Sequence, residues 1–221
     1  AAVVAAAALF VPLCVPLARG HLFAIGDLAD FHLPMRQIYQ SALVNLTEGH
    51  SLLWSGRLFG GFYFHAEGQV GVFHPLHLLL YWLFPLVTAF NLELIASYVF
   101  AFAGMWLLLR RQGFSPVAAI TGAMAFAFSG FNLLHLLHMN GVAVVAHMPW
   151  LLLSLDAALG EGAVRRRAGL AGIALLTAST ILLGYPQYVL MAALACGAWL
   201  PFNRHRVTAW NLGHVAIVGV A

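Results

Sequence analysis

The sequence consists of long apolar stretches separated by short polar breaks. An apolar helix of about 20 residues spans the hydrocarbon core of a bilayer, so each long stretch predicts a transmembrane helix. The pattern therefore indicates an all-α, polytopic transmembrane bundle that forms a single domain over residues 1–221. The predicted spans are 1–18, 92–109, 116–134, 142–159, 168–184, 186–201 and 207–221.

Composition indicates that lipid is the main solvent of this chain. Hydrophobic residues make up 62% of it and charged residues only 8%, whereas about 25% of the residues of a soluble domain are charged. A soluble protein of this length needs a charged outer shell, which this sequence does not supply. Nothing in the sequence has the basic pattern of a nucleic-acid interface, and we expect no nucleic-acid partner.

Both ends of the sequence lie within apolar stretches, and we expect the chain to belong to a longer protein. A secretory signal peptide is the alternative for residues 1–18. No charged segment precedes this stretch, and Pro16 fits poorly in front of a cleavage after Ala18. We therefore interpret residues 1–18 as the first span.

Arginine clusters predict the orientation of the spans. All ten basic residues are Arg, and seven of them occupy three breaks, at 110–111, 165–167 and 204–206. Two predicted spans separate consecutive clusters, so the clusters share one face, and the positive-inside rule makes that face cytoplasmic. The N-terminus is then cytoplasmic too. We expect Asp156 and Glu161 to pair with these arginines.

Residues 19–90, called the outer segment, lie on the opposite face if residues 75–109 cross the membrane once. Asn91 and Glu93 interrupt this stretch, and a charge in contact with lipid is costly. We therefore predict an interfacial or re-entrant helix at 75–88, followed by one span. The outer segment is then a long first extracytoplasmic loop that contains interfacial helices.

Polar residues concentrate in the outer segment. Between residues 19 and 77 lie four of the seven acids, three arginines and six of the eleven histidines. Asp27 and Asp30 are three residues apart, so a helix that begins at Asp27 turns both to one side. Apolar residues then repeat at spacings of three and four, which predicts an amphipathic helix along the membrane surface. The repeat consists of Leu28, Phe31, Met35, Ile38 and Ala42.

Two further polar breaks reach the same predicted face. The break between the third and fourth spans contains His138 and Asn140. The break between the fifth and sixth spans contains Tyr185 and Gln187. The predicted topology therefore brings these four residues to the same side as the outer segment.

An ordered set of short motifs resembles a known family, the bacterial membrane proteins of the YfhO type. These belong to the GT-C class of glycosyltransferases, which use lipid-linked sugars. At position 185 the family usually has His, where this chain has Tyr. The matching motifs are Gly26-Asp27, Leu33-Pro34, Arg36-Gln37, Leu53-Trp54, Phe59-Gly60-Gly61, Gln69, Gly71 to Leu76, Phe128 to Phe131, His138, Asn140, Pro149-Trp150 and Gly184 to Gln187.

The resemblance implies a GT-C-like bundle with an essential acid near the start of its first extracytoplasmic loop. Asp27 stands at that position. The implied activity is that of an inverting, hexosyltransferase-like enzyme of the bacterial cytoplasmic membrane. It would take a sugar from a polyprenyl-phosphate carrier and pass it to a cell-envelope polymer, such as a teichoic acid, or to a lipid acceptor outside the cytoplasm.

Inverting transfer needs a base for the acceptor's proton and a positive charge for the departing phosphate. We hypothesise that Asp27 is this base, with Asp30 as its helper, or that Asp27 and His138 bind a divalent cation such as Mg²⁺ or Mn²⁺. Arg36 or Arg57 would hold the carrier phosphate. The other candidate substrate-binding residues are His65, His138, Asn140, Tyr185 and Gln187.

Each candidate has a structural alternative. Asp27 could cap a helix, and Asp30 could be a solvated surface charge. A histidine at the end of a span often hydrogen-bonds a backbone carbonyl, and residues 185–187 could simply begin a helix. For the whole protein, a transporter or flippase of lipid-linked sugars and a non-catalytic scaffold are the alternatives. Charge at the rim, rather than deep in several spans, favours the enzyme.

Overall fold

A computed structural model describes residues 2–23, 25–202 and 209–220. These residues are mostly helical, which confirms the all-α class. Two short strands, Trp54–Ser55 and Phe62–Tyr63, pair antiparallel in the outer segment. Helices α1 to α10 are Ala2–Arg19, Leu33–Val44, Pro75–Leu83, Leu86–Arg111, Pro116–Ala127, Gly130–Leu134, Met139–Ala158, Ala163–Leu183, Pro186–Trp199 and Ala209–Val220. Short π or 3-10 turns lie at Leu28–His32, Leu46–Glu48, Phe64–Ala66 and His135–Leu137.

Five helical runs of the described residues are long and apolar enough to cross a membrane, as expected of a multi-pass membrane protein. The predicted span at 186–201 corresponds to a shorter apolar helix, Pro186–Phe202. The predicted span at 207–221 extends outside the described residues. The five runs are Ala2–Arg19, Leu86–Arg111, Pro116–Leu137, Met139–Ala158 and Ala163–Leu183.

Helix α4 begins at Leu86, earlier than the sequence predicts, and it runs unbroken through Asn91 and Glu93. Both residues are buried. The sequence predicts an interruption at these residues because a charge in lipid is costly. The structure avoids that cost differently, because the Glu93 carboxylate faces the protein interior and is bound by Arg36. Pro85 separates α4 from the nine-residue helix α3.

The apolar repeat of the outer segment packs against protein. A π-helical turn, Leu28–His32, leads directly into α2. Met35 and Tyr39 of α2 are buried in a cluster with Phe64 and Tyr81. The amphipathic pattern therefore marks a helix whose apolar side is covered by other parts of the outer segment, including α3.

Two arginine clusters meet at the same end of the bundle. Arg111 Nε lies 3.0 Å from Asp156 Oδ2, and the Arg165 guanidinium lies 2.6 Å from the same oxygen. The Asp156 side chain is buried whereas both arginines are partly exposed. The ends of α4 and α8 that carry the clusters therefore lie together, as the predicted topology requires of these two breaks.

Helix α7 packs against α4, α8 and α9. Its contact with α8 depends on a small residue, because a Cβ added at Gly169 would lie 2.3 Å from the backbone nitrogen of Ala158. Small residues allow transmembrane helices to approach this closely.

Replacing Gly169 with alanine is expected to destabilise the bundle by roughly 1–3 kcal/mol, because backbone atoms of α7 must move to admit the methyl group. The measurement is the thermal unfolding midpoint of the purified protein in detergent. Gly197→Ala in α9 is the matched control, since its new Cβ meets no atom of the described residues within 4 Å. Equal midpoints for the two variants would contradict the close packing of α7 and α8.

Candidate functional site

Asp27 lies between α1 and the π-helical turn, where the chain enters the outer segment. It occupies the N-cap position of that turn, yet its side chain makes no capping hydrogen bond. The amides of Ala29 and Asp30 donate instead to the Gly26 carbonyl oxygen, at 2.9 and 3.0 Å. The carboxylate is thus not used to cap the helix in this structure.

The Asp27 carboxylate faces an imidazole from a distant part of the chain. Asp27 Oδ2 lies 3.2 Å from His138 Nε2, and the two side chains are 55% and 34% exposed. His138 directly precedes α7, and its Nδ1 is buried without a hydrogen-bond partner among the described residues. A carboxylate beside an imidazole, both reachable from outside, can accept and pass on a proton.

Tyr185 lies next to this pair in an uncommon backbone conformation. Its ring centroid is 6.3 Å from that of His138 and 4.6 Å from that of Tyr188. The backbone of Tyr185 is left-handed, with φ of 60°, and its amide donates to the Gly68 carbonyl oxygen at 2.9 Å. Strained backbone of this kind persists only where neighbours hold it. The outer segment therefore fixes Tyr185 beside His138.

Asn140 and Gln187 lie in the first turns of α7 and α9. The Asn140 side-chain amide donates to the Leu183 carbonyl oxygen at 3.3 Å, which ties α7 to the end of α8. The Asn140 Oδ1 is buried and unpartnered within the described part of the chain. Gln187 is exposed in the first turn of α9.

Three other predicted residues make no side-chain contact with Asp27 or His138 among the described residues. The Asp30 side chain is exposed and makes no hydrogen bond or ion pair with the residues that the structure describes. Arg57 donates to Ser41 Oγ at 3.4 Å, and His65 Nδ1 lies 3.0 Å from the Leu53 carbonyl oxygen. Arg57 and His65 therefore belong to the part of the outer segment around the two strands.

Arg36 is buried beside Glu93. Its Nε donates to Glu93 Oε2 at 3.0 Å, a second nitrogen binds Oε1, and a third donates to the Val70 carbonyl oxygen. Burial alone would lower the pKa of Arg36, but the Glu93 carboxylate outweighs it and raises that pKa above its ordinary value. All three nitrogens of the guanidinium donate to Glu93 or Val70, so none of them is directed at Asp27 or His138.

Glu93 is not among the candidate site residues that the sequence predicts, although it is a centre of polar contacts in the structure. The Tyr81 hydroxyl donates to Glu93 Oε2 at 2.6 Å, and His77 Nε2 lies 3.1 Å from Oε1. Burial and the Glu93 charge raise the pKa of Tyr81 well above its usual value, so its hydroxyl remains a donor. A lone carboxylate within an apolar stretch was the available signal, because such a charge needs a partner.

The cluster of Arg36, Glu93, Tyr81 and His77 also holds the loop at residues 68–72. The carbonyl oxygens of this loop accept hydrogen bonds from Arg36, from the Tyr39 hydroxyl at 3.0 Å and from His77 Nδ1 at 3.0 Å. The same loop accepts from the Tyr185 amide. A Cβ at Gly184 would lie 1.7 Å from the Gly68 carbonyl oxygen. The cluster thus positions Tyr185 indirectly, through the loop.

His32 predicts a dependence of stability on pH. Burial first, and then the Arg36 charge, lower the pKa of His32 to about 3 from 6.5. The unfolded chain takes up this proton near pH 6.5 and the folded chain only near 3. Stability should therefore fall as the pH drops from 6.5 towards 3, by about 1.4 kcal/mol per pH unit for this group.

Thermal midpoints at pH 7.5 and pH 5 test this expectation. The His32→Leu variant should lose part of the drop that the parent protein shows. His50→Leu, at an exposed position, should keep all of it. An unchanged drop in the His32 variant would show that this ring is not held neutral by burial.

Asp27 and His138 do not make up a metal site with any third such side chain of the described residues. Within residues 2–23, 25–202 and 209–220, no three His, Cys, Asp or Glu side chains are grouped so that they could hold a metal ion. A divalent cation at Asp27 and His138 would take its remaining ligands from water or from a bound phosphate, as Mg²⁺ commonly does.

The fold and this site define a multi-pass helical membrane protein with a carboxylate and imidazole pair at one end of its bundle. No protein-family model matches the chain, and no curated protein and no solved structure matches it either.

Proposed function

We propose that the protein is an inverting membrane glycosyltransferase of the GT-C class, similar to the YfhO type. It transfers a sugar from a polyprenyl-phosphate carrier to a cell-envelope acceptor. The observation that carries this proposal is the position of Asp27, a partly exposed carboxylate that caps no helix and lies 3.2 Å from His138.

The proposed reaction is a single displacement. Asp27 takes the proton of the acceptor hydroxyl, and the acceptor oxygen forms a bond to the anomeric carbon of the sugar. The bond from that carbon to the phosphate oxygen breaks, and its electron pair leaves with the polyprenyl phosphate. His138 stabilises the carboxylate and orients it towards the acceptor. Inversion at the anomeric carbon follows from attack opposite the leaving group.

The surroundings of Asp27 suit a lipid-linked donor. Helices long enough to span a membrane lie beside it, so a carrier chain can remain in lipid while its headgroup reaches the pair. Tyr185, Asn140 and Gln187 are the residues that we propose to contact the sugar or the acceptor. Arg36 is bound to Glu93, so it is not available to the carrier phosphate in this arrangement.

The proposed location is the bacterial cytoplasmic membrane, with a cytoplasmic N-terminus and the site on the outer side. The arginine clusters support this orientation by the positive-inside rule. Their contacts with Asp156 bring two of the clusters to one end of the bundle. A divalent cation, Mg²⁺ or Mn²⁺, is part of the proposal only as a ligand of Asp27 and His138.

A transfer assay tests the proposal. The purified protein in liposomes is given polyprenyl-phosphate donors of defined sugar and a cell-envelope acceptor, with and without a chelator. We expect a new glycosidic bond of inverted configuration, detected by mass spectrometry and NMR. Movement of the intact donor across the bilayer without bond formation would instead support a transporter or flippase. Binding of the donor with neither outcome would support a scaffold.

A further inference from the structure

A second polar site lies inside the bundle, between α3, α4, α7 and α8. It is a cavity of about 350 Å³, a volume within the range of roughly 300–1,000 Å³ that is typical of small-molecule sites. Its walls combine apolar side chains with a few hydrogen-bonding groups, as such sites do. The residues that carry the inference are His74, His147, Ser179, Leu76, Phe100 and Leu183.

The hydrogen bonds fix which nitrogen of each histidine carries a proton. His147 Nδ1 lies 2.8 Å from the Ala143 carbonyl oxygen, so this nitrogen is the donor. The other neighbour of the ring is a hydroxyl, and a buried imidazolium without an anion is costly, so His147 is neutral. Its Nε2 then accepts the Ser179 hydroxyl proton at 2.9 Å.

The chain of hydrogen bonds from His147 to Ser179 continues to His74. Ser179 has given its only proton to His147, so its oxygen must accept from His74 Nε2, which lies 2.9 Å away. Burial first, and then the neighbouring His77, lower the pKa of His74 to about 3, so the ring is neutral near pH 7. His74 therefore carries its proton on Nε2 and a lone pair on Nδ1.

The lone pair on His74 Nδ1 has no donor among the described residues, although the side chain is only 7% exposed. A buried acceptor of this kind is stabilised by a donor. A carboxylate or a phosphodiester anion offers no donor. A cation is disfavoured because Arg36 already neutralises the charge of Glu93. The hydrogen-bond donor that would complete this site is therefore an uncharged group with an O–H bond.

We propose that this cavity binds a neutral, hydroxyl-bearing hydrocarbon molecule from the membrane, that is, a long-chain alcohol. Its hydroxyl donates to His74 Nδ1, and its chain lies against Leu76, Phe100 and Leu183. The site is separate from Asp27 and needs no sugar donor. The proposal therefore stands or fails independently of the transfer reaction.

Binding of three matched probes to the purified protein tests the proposal. The probes are 1-decanol, decyl methyl ether, which lacks the donor, and decanoate, which is an anion at pH 7.5. Competition with a fluorinated decanol, followed by ¹⁹F NMR, gives each Kd. We expect saturable binding of decanol with a Kd at least tenfold below those of the ether and of decanoate. Equal affinity for alcohol and ether would overturn the proposal.

Variants locate the binding. His74→Phe keeps a ring but removes the lone pair, so decanol affinity should fall about tenfold while ether affinity stays the same. His50→Phe, at an exposed histidine of the outer segment, is the control and should bind as the parent does. Unchanged decanol binding by a folded His74→Phe protein would contradict the site. The probe series on the parent protein tests the site even if that variant does not fold.

Ser179→Ala tests the proton chain itself. Without this hydroxyl, His74 is free to place its proton on Nδ1, and its preference for a donor over an ether should weaken. We expect the ratio of ether Kd to decanol Kd to fall towards one. A ratio equal to that of the parent protein would overturn the assignment of the His74 lone pair.

Discussion

Replacing Glu93 with glutamine is expected to destabilise the protein by about 3–5 kcal/mol, because the Arg36 guanidinium stays buried without its counter-charge. The shape of the side chain is kept, so the loss reports charge and hydrogen bonding and not a cavity. Arg36 is 1% exposed and Glu93 is 3% exposed, so water cannot replace the lost partner. Denaturant or thermal unfolding of the purified protein in detergent measures the effect.

The double variant Arg36→Met with Glu93→Gln is the matched comparison for this prediction. Removing both charges together should restore much of the stability, since neither group is then left buried and unpaired. Glu48→Gln changes an exposed carboxylate and should have little effect. A double variant that is less stable than either single variant would contradict the view that Arg36 and Glu93 depend on one another.

Replacing Asp27 with asparagine is expected to lower sugar transfer by about 10²–10⁴-fold, the contribution usual for a general base. Asparagine cannot take the acceptor's proton at neutral pH. The thermal midpoint should change little, because the Asp27 side chain is more than half exposed and caps no helix. Initial rates with a saturating polyprenyl-phosphate donor measure the loss.

Asp30→Asn is the control for that rate measurement. Asp30 is three residues away, is exposed and contacts no charged group of the described chain. We expect its rate to stay within a few-fold of the parent rate. If Asp30→Asn lost as much activity as Asp27→Asn, Asp30 would be an equal partner in the chemistry. Undiminished turnover of Asp27→Asn would remove Asp27 from the mechanism.

The helical class was predictable because apolar periodicity and length decide it. The partnership of Arg36 with Glu93 was not. The two residues are 57 positions apart, and no local pattern in the sequence joins them. Because a charge in lipid is costly, the sequence correctly indicates that Glu93 is unusual. From that cost we predict a break in the helix, whereas the fold keeps the helix and places the buried Arg36 beside Glu93.

The sequence predicts which residues form the candidate site better than it predicts how those residues are arranged. Topology placed Asp27, His138 and Tyr185 on one side, and the structure brings these three together. The expected pairing of Asp27 with Asp30 assumed α-helical spacing, but the segment that follows is a π-helical turn, whose hydrogen bonds join more distant residues. The left-handed backbone of Tyr185 depends on its contact with Gly68, which lies far away in the sequence.

Labelling of a cysteine at position 27 tests the location of the site most directly. Asp27→Cys is made in a protein whose native Cys14 and Cys196 are replaced by serine, and intact cells are treated with a membrane-impermeant maleimide. Glu161→Cys, an exposed position between the arginine clusters, is the control for the opposite face. We predict that position 27 reacts in intact cells, and that position 161 reacts only after the membrane is permeabilised. Reaction of position 27 from the cytosol alone would contradict an outward-facing site.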